Sequence, residues 1–143
     1  MKYPERKYYF TEEHEWIRFE NNYAFVGLTS LAKRELGMIT NIEIHTTGKD
    51  LMENQVFGSL RTNKYLCKLI MPIRGKVLEA NTINYEKFNT ADGDFNSDEW
   101  IIKIAIFLPL ISKKLFTMED YISRNNLRAL YLVKYFLEFG NAK

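Results

Sequence analysis

The residues in this chain that could do chemistry are few: a lysine in a predicted turn, one cysteine and two histidines. Lys64 stands in Gly58-Ser59-Leu60-Arg61-Thr62-Asn63-Lys64-Tyr65-Leu66-Cys67-Lys68-Leu69-Ile70-Met71-Pro72. Two β-type runs flank the polar centre Thr62-Asn63-Lys64. Asn tolerates positive φ and hydrogen-bonds its own backbone, so the centre reads as a turn. Two strands around such a turn predict a hairpin from Gln55 to Pro72. That places Lys64 at or beside the tip, with its amine in water. On local features alone such a lysine is a solvated charge. Between Asn54 and Leu78 there is no acidic residue, while Arg61, Lys64, Lys68, Arg74 and Lys76 are basic. Such a hairpin is either a solvated face or a docking face for an acidic protein, and bases without an acid favour docking. Nucleic acid fits the patch less well, because the rest of the chain is not basic.

Other chemistries are weakly supported. The two histidines and Cys67 are far apart in sequence and offer no metal-ligand spacing. There is no Gly-rich phosphate loop, no Gly-x-Ser-x-Gly elbow and no evident nucleophile–base pair, so an enzyme in its own right is a distant reading. A length of 143 residues predicts a single domain able to bury most of a core. Aromatics make up 15%, with ten Phe and nine Tyr, so that core should be rich in rings. A net charge of +2 calls for neither a nucleic-acid nor a membrane partner. The lone cysteine cannot form an internal disulfide, which fits a reducing, cytoplasmic setting. Met1 to Lys7 lacks an apolar signal region, and no window approaches the ~18 uncharged apolar residues of a membrane span.

These residues need elements to position them. Tyr8-Tyr9-Phe10 is apolar, and Thr11 to His14 has polar, cap-like chemistry. Glu15 to Phe19 alternates, with Trp16 and Arg18 on one face and Ile17 and Phe19 on the other. Asn21-Asn22 signals a turn into Tyr23 to Leu28, so residues 15–28 predict a hairpin. Thr29 or Ser30 can cap a short helix that Gly37 ends in the left-handed conformation, with Leu31, Ala32, Glu35 and Leu36 along one edge. Ile39 to Ile44 is a strand, Thr46 to Lys49 a turn and Asp50 to Asn54 a polar bend. Ile73 to Ala80 predicts another strand, Asn81 to Ser97 a loop, and Glu99 to Ile106 the last strand. Trp16 and Trp100 are expected in the core. Many short strands with turn signals predict a mainly β fold, a sandwich or flattened barrel. The β core is placed at 8–107 and a C-terminal helical extension at 112–143. Thr117 with Met118-Glu119-Asp120 marks a helix start, and Leu127, Leu130, Tyr131, Lys134 and Leu137 keep helical spacing.

Several of these runs share a register with one family. Tyr9-Phe10-Thr11-Glu12-Glu13-His14-Glu15-Trp16-Ile17 fits the pattern Tyr-Thr-x-Glu-His-Glu-Trp, and Val26-Gly27-Leu28-Thr29-Ser30-Leu31-Ala32 fits Val-Gly-Ile-Thr-x-x-Ala. Gly37, Gly48, Pro72 and Gly75 fall at matching places, and Trp100-Ile101-Ile102-Lys103-Ile104 is like Trp-Leu-Ile-Lys-Ile. Over roughly residues 8–122 the chain resembles the glycine cleavage system H protein, a lipoyl carrier. From Gly27 to Val77 the register runs without a gap and puts Lys64 on the family's lipoylated lysine. The resemblance implies a lipoyl-type β sandwich with covalent lipoate on Lys64, and a carrier that is not a catalyst. Its implied partners are a pyridoxal-phosphate glycine decarboxylase, a folate-dependent aminomethyltransferase, a dihydrolipoyl dehydrogenase, and the lipoate ligase or lipoyl transferase that loads it. It further implies that His14 and Glu15 line the groove sheltering the loaded arm. Cys67, three residues from Lys64, could meet a thiol-bearing arm, though a strand cysteine is more often a small apolar filler.

Departures from the pattern cluster at the lysine. Arg61 replaces a usual Glu, Asn63-Lys64-Tyr65 replaces Val-Lys-Ala, and Cys67-Lys68 replaces Ser followed by an acid. Arg61, Asn63 and Tyr65 are therefore candidate recognition residues. Two further readings stay open: a divergent H-like carrier for lipoate relay or redox-linked modification, and an unmodified interaction module with the same fold.

Overall fold

The computed structural model describes residues 8–82, 85–89, 99–107 and 115–125. Alternating apolar residues build its larger sheet from β1 (Tyr8–Phe10), β2 (Glu15–Glu20) and β3 (Tyr23–Leu28). A helix, α1 (Ser30–Leu36), leads into β4 (Ile39–Glu43). Then follow β5 (Asp50–Leu51), β6 (Val56–Thr62), β7 (Leu66–Ile70) and β8 (Gly75–Ala80). A 3₁₀ turn at Tyr85–Asn89, β9 (Ile102–Ile106) and α2 (Met118–Arg124) complete the order. The strands form a six-stranded antiparallel sheet, β1-β2-β3-β9-β8-β5, and a three-stranded one, β4-β6-β7. Their inner faces meet in one apolar cluster: Ile17, Phe19 and Val26 come from the large sheet, Ile42, Phe57 and Leu60 from the small one. This is the expected β sandwich.

The opposite face of the large sheet is also covered. Trp16 is fully buried there with Phe10, Leu31 and Tyr121. Arg18 is buried on the same face, with its guanidinium 4.6 Å from the centre of the Phe25 ring and its Nε 2.5 Å from the Glu20 carboxylate. Trp100 is only half-buried, edge-on to Phe25, so of the two tryptophans Trp16 alone belongs to the closed core. Thr29 caps α1 by accepting from the Ala32 amide, and Gly37, at φ +90°, ends the helix with its amide on the Lys33 carbonyl. Leu31 and Ala32 are buried, but Glu35 is exposed and takes no part in the apolar edge.

Three further expectations need correction. Asp50 and Leu51 are not simply a bend: they pair with Lys76 and Gly75 as a two-residue edge strand. Such a pairing is set by β8 and leaves no periodicity in so short a run. The stretch read as loop contains the 3₁₀ turn, whose Phe88 is fully buried. Its neighbour Asn89 accepts from the Ile39 amide and donates to the Ile39 carbonyl, each at 2.8 Å, capping backbone groups at the start of β4. The last strand starts at Ile102 rather than Glu99. Glu99 is buried and paired with Lys33 of α1. The α2 start at Thr117 is as expected, its hydroxyl accepting from the Asp120 amide. The helical spacing at Leu127 to Leu137 lies outside the described residues.

Gly27 tests the packing on the outer side. A Cβ there would stand 2.3 Å from Cζ2 of the buried Trp16 ring. Gly27→Ala should lower unfolding free energy by about 1–3 kcal/mol in a urea titration; an unchanged midpoint would contradict this packing.

Candidate functional site

The lysine hairpin forms as its sequence predicts. β6 and β7 pair with Arg61 opposite Leu66, Leu60 opposite Cys67, and Ser59 opposite Lys68. Leu60 and Leu69 point into the core, while Arg61, Leu66 and Lys68 are exposed on the outer face. Cys67 is half-buried opposite Leu60, the position of an apolar filler.

Asn63, Lys64 and Tyr65 make the turn, and every one of their amides has a protein acceptor. The Thr62 hydroxyl accepts from the Lys64 amide at 3.0 Å and the Tyr65 amide at 2.9 Å. The Thr62 amide donates to the Tyr65 carbonyl at 2.8 Å. Asn63 reaches a different element. Its amide donates to the Met38 carbonyl at 3.0 Å, and its side-chain Oδ1 accepts from the Met38 amide at 3.1 Å. This reciprocal pair clasps the tip to the junction between α1 and β4. Each such bond contributes on the order of 1 kcal/mol, so together they hold the turn in one geometry.

Gly37 lets the clasp close. A Cβ on it would lie 2.5 Å from Asn63 Oδ1 and 3.6 Å from Cδ of Lys64. Its positive φ ends the helix, and its missing side chain leaves room for the tip. The Lys64 side chain, by contrast, is exposed and makes no hydrogen bond or ion pair with the described residues. A primary amine so placed can be acylated without disturbing any bond that holds the turn.

The other predicted site residues separate. Arg61 and Tyr65 are exposed beside the lysine. Asn63, read as a recognition residue, is engaged in the clasp. His14 is half-buried at φ +62°, with Nδ1 hydrogen-bonded to the Tyr121 hydroxyl at 2.8 Å. It lines a cleft of about 440 Å³ with Glu12, Phe116, Arg124 and Asn125. Glu15 turns the other way: it is buried, with the Thr11 hydroxyl 3.4 Å from its carboxylate. Burial, reinforced by the nearby Glu13 charge, raises its pKa well above the usual glutamate range. Hydrogen bonding from Thr11 and from the Ile70 backbone opposes that rise. Sequence reasoning treated Thr62 only as a polar turn residue and passed over Met38 and Tyr121. The Thr-Asn order before Lys64 was the one available signal for Thr62. Nothing local marks Met38 or Tyr121. Among the described residues no three His, Cys, Asp or Glu side chains gather as a metal site, and no helix is long and apolar enough to cross a membrane.

Known proteins resemble this arrangement. The glycine cleavage H-protein family pattern matches residues 8–126. A glycine cleavage system H protein of Bacteroides fragilis is 36% identical over 104 residues, covering 73% of this chain and 82% of the relative. One from Salinibacter ruber is 33% identical over 113 residues, covering 79% and 91%. The crystal structure of a glycine cleavage system H protein from Mycobacterium marinum superposes with a TM-score of 0.72 at 22% identity, covering 87% of this chain and 100% of that one, and so shares the fold.

Two substitutions test the local chemistry. Thr62→Val should cost about 1 kcal/mol and speed hydrogen exchange at the Lys64 and Tyr65 amides, leaving the core strands protected; unaltered exchange at those two amides would remove the hydroxyl from its role. Because the folded pKa of Glu15 is raised, its neutral form favours the native state. The stability it contributes is full below the ordinary glutamate pKa and is lost as pH rises through the folded value. Glu15→Gln should therefore gain in melting temperature relative to the parent more at about pH 8 than at about pH 4; an equal difference at both would argue against a buried, reluctant carboxyl.

Proposed function

Since this chain belongs to the glycine cleavage H-protein family, whose pattern it matches over residues 8–126, we propose that Lys64 carries lipoate as an amide on Nζ. The carrier component of glycine cleavage is not itself a catalyst: it holds a group and presents it to other active sites. The observation that supports Lys64 is its exposed amine on a turn whose amides are all bonded elsewhere. The residues present fit the group. Acylation consumes an amine that makes no hydrogen bond or ion pair with the described residues. Bound lipoate would supply a redox-active disulfide on a flexible arm, able to take up the aminomethyl group of glycine. This chain supplies position. Thr62 fixes the turn, the Asn63–Met38 pair fixes the turn against the body, and Gly37 lets the two approach. Tethering makes each encounter with a partner site local, at raised effective concentration.

The partners follow from that role: a pyridoxal-phosphate glycine decarboxylase, an aminomethyltransferase, a dihydrolipoyl dehydrogenase, and a lipoate ligase or lipoyl transferase. His14 is proposed to line the shelter for the loaded arm, since it faces the cleft shared with Arg124 and Asn125. Glu15, with its carboxyl buried against Thr11, is proposed to brace that strand from behind rather than to touch the arm. A divergent carrier serving another pathway is the second reading, favoured by Arg61 and Lys68 flanking the lysine, which make no ion pair with the described residues.

Intact-mass and peptide analysis of the protein from its own cell should find the lipoyl increment on the peptide containing Lys64. Lys64→Ala should abolish it and leave the melting curve unchanged, because an exposed side chain buries little. An unmodified Lys64 peptide in lipoate-replete cells would overturn the proposal.

A further inference from the structure

The face that presents Lys64 has an unusual surface. Six large hydrophobic side chains are exposed among the described residues, and three of them stand around the tip: Met38 at 62%, Tyr65 at 54% and Leu66 at 64% exposure. Leu66 is an outward strand position, opposite Arg61, where the alternation calls for a polar residue. None of the three is needed to fill the core. A patch of this size is too small to hold a partner by itself.

The charges around it are lopsided. Arg61 and Lys68 are exposed on the same face and make no ion pair with the described residues. Across β6 that face does carry an acid, Glu43, in the row Glu43–Ser59–Lys68. Glu43 is already engaged, by Asn41 at 3.0 Å and His45 at 3.1 Å, and Ser59 separates it from Lys68. Neither contact cancels the Glu43 charge, so the tip with the outer face of β4, β6 and β7 carries the cations Arg61, Lys64 and Lys68 against the carboxylate of Glu43, a positive excess on a chain whose net charge is only +2.

We infer that this apolar patch with its basic flank is a docking surface for a protein that is acidic around an apolar centre, and that its occupant is the ligase that acylates Lys64. The inference rests on the proposed attachment at Lys64 and adds what the attaching enzyme must look like. Long-range attraction between the basic face and an acidic one would steer the encounter, and Met38, Tyr65 and Leu66 would seat it. Acylation removes the Lys64 charge, so the product leaves an acidic partner more readily than the substrate binds it.

The test uses the folded full chain and the lipoate ligase of the same cell. Initial rates of Lys64 modification are read by mass at about 50 and 300 mM salt, where screening differs strongly. The parent should be modified several-fold more slowly at the higher salt. Arg61→Glu with Lys68→Glu should cut kcat/KM by about ten-fold at low salt and flatten or invert the salt dependence. Leu66→Ser, which keeps every charge, should raise KM and keep the salt dependence. Circular dichroism and melting curves would establish that each variant is folded. If the parent is modified and the charge reversal changes neither the rate nor its salt dependence, the docking surface is refuted while the lipoyl attachment stands. If the lipoyl transferase of the same cell modifies the parent and the ligase does not, the ligase is refuted as the occupant while the attachment stands; if neither enzyme modifies it at either salt, the attachment falls and the docking surface with it.

Discussion

The tip of the β6–β7 hairpin holds an exposed lysine out without the lysine side chain doing any of the holding, and this constraint explains the geometry of the tip. A three-residue turn has three amides to satisfy and little local material to do it with. Here one hydroxyl, that of Thr62, takes two of them, and a carbonyl from a different element, that of Met38, takes the third. Asn63 then returns the bond through its side chain. The lysine amine is left with no bond to the described residues and so with no duty in holding the turn.

That solution makes the tip depend on residues well away from it. The clasp requires the end of α1 to lie against the turn, which Gly37 permits by lacking a Cβ. The start of α1 is fixed by Thr29, whose hydroxyl both caps the helix and bonds the Tyr121 hydroxyl at 3.1 Å. Tyr121 is fully buried, stacked on Phe10 with ring centres 4.7 Å apart, and bonded to His14. A continuous line of contacts thus runs from α2 through α1 to the lysine. It is a structural continuity, and it makes α2 part of the same body as the hairpin.

Electrostatics divide the molecule differently. Several charged groups elsewhere are matched: Arg18 with Glu20, Lys33 with Glu99, Lys103 with Glu79, Arg124 with Glu12. Around Lys64, Arg61 and Lys68 make no ion pair with the described residues and stand beside exposed apolar side chains. Exposed ion pairs contribute little to stability, so leaving these out costs the fold little and keeps their field available to a partner.

Much of this was legible in the chain. The alternation in β2 and β3, the Asn21 turn, the Thr29 cap and the Gly37 stop all act through neighbours a few residues apart, and each formed as read. So did the hairpin and the outward lysine, because strand period and turn chemistry fix both locally. What the sequence by itself determined was therefore the longer strands, α1, the start of α2 and which way Lys64 faces, but not β5 or the 3₁₀ turn at Tyr85–Asn89. The tertiary structure decided what holds the tip and what stands behind it. Met38 and Asn63 are 25 positions apart, Thr29 and Tyr121 are 92, and His14 and Tyr121 are 107. Phe88 is buried and Glu15 is raised in pKa by packing that neither residue's neighbours announce. Periodicity assigns a side chain to a face; only the docking of one sheet on another assigns it a partner.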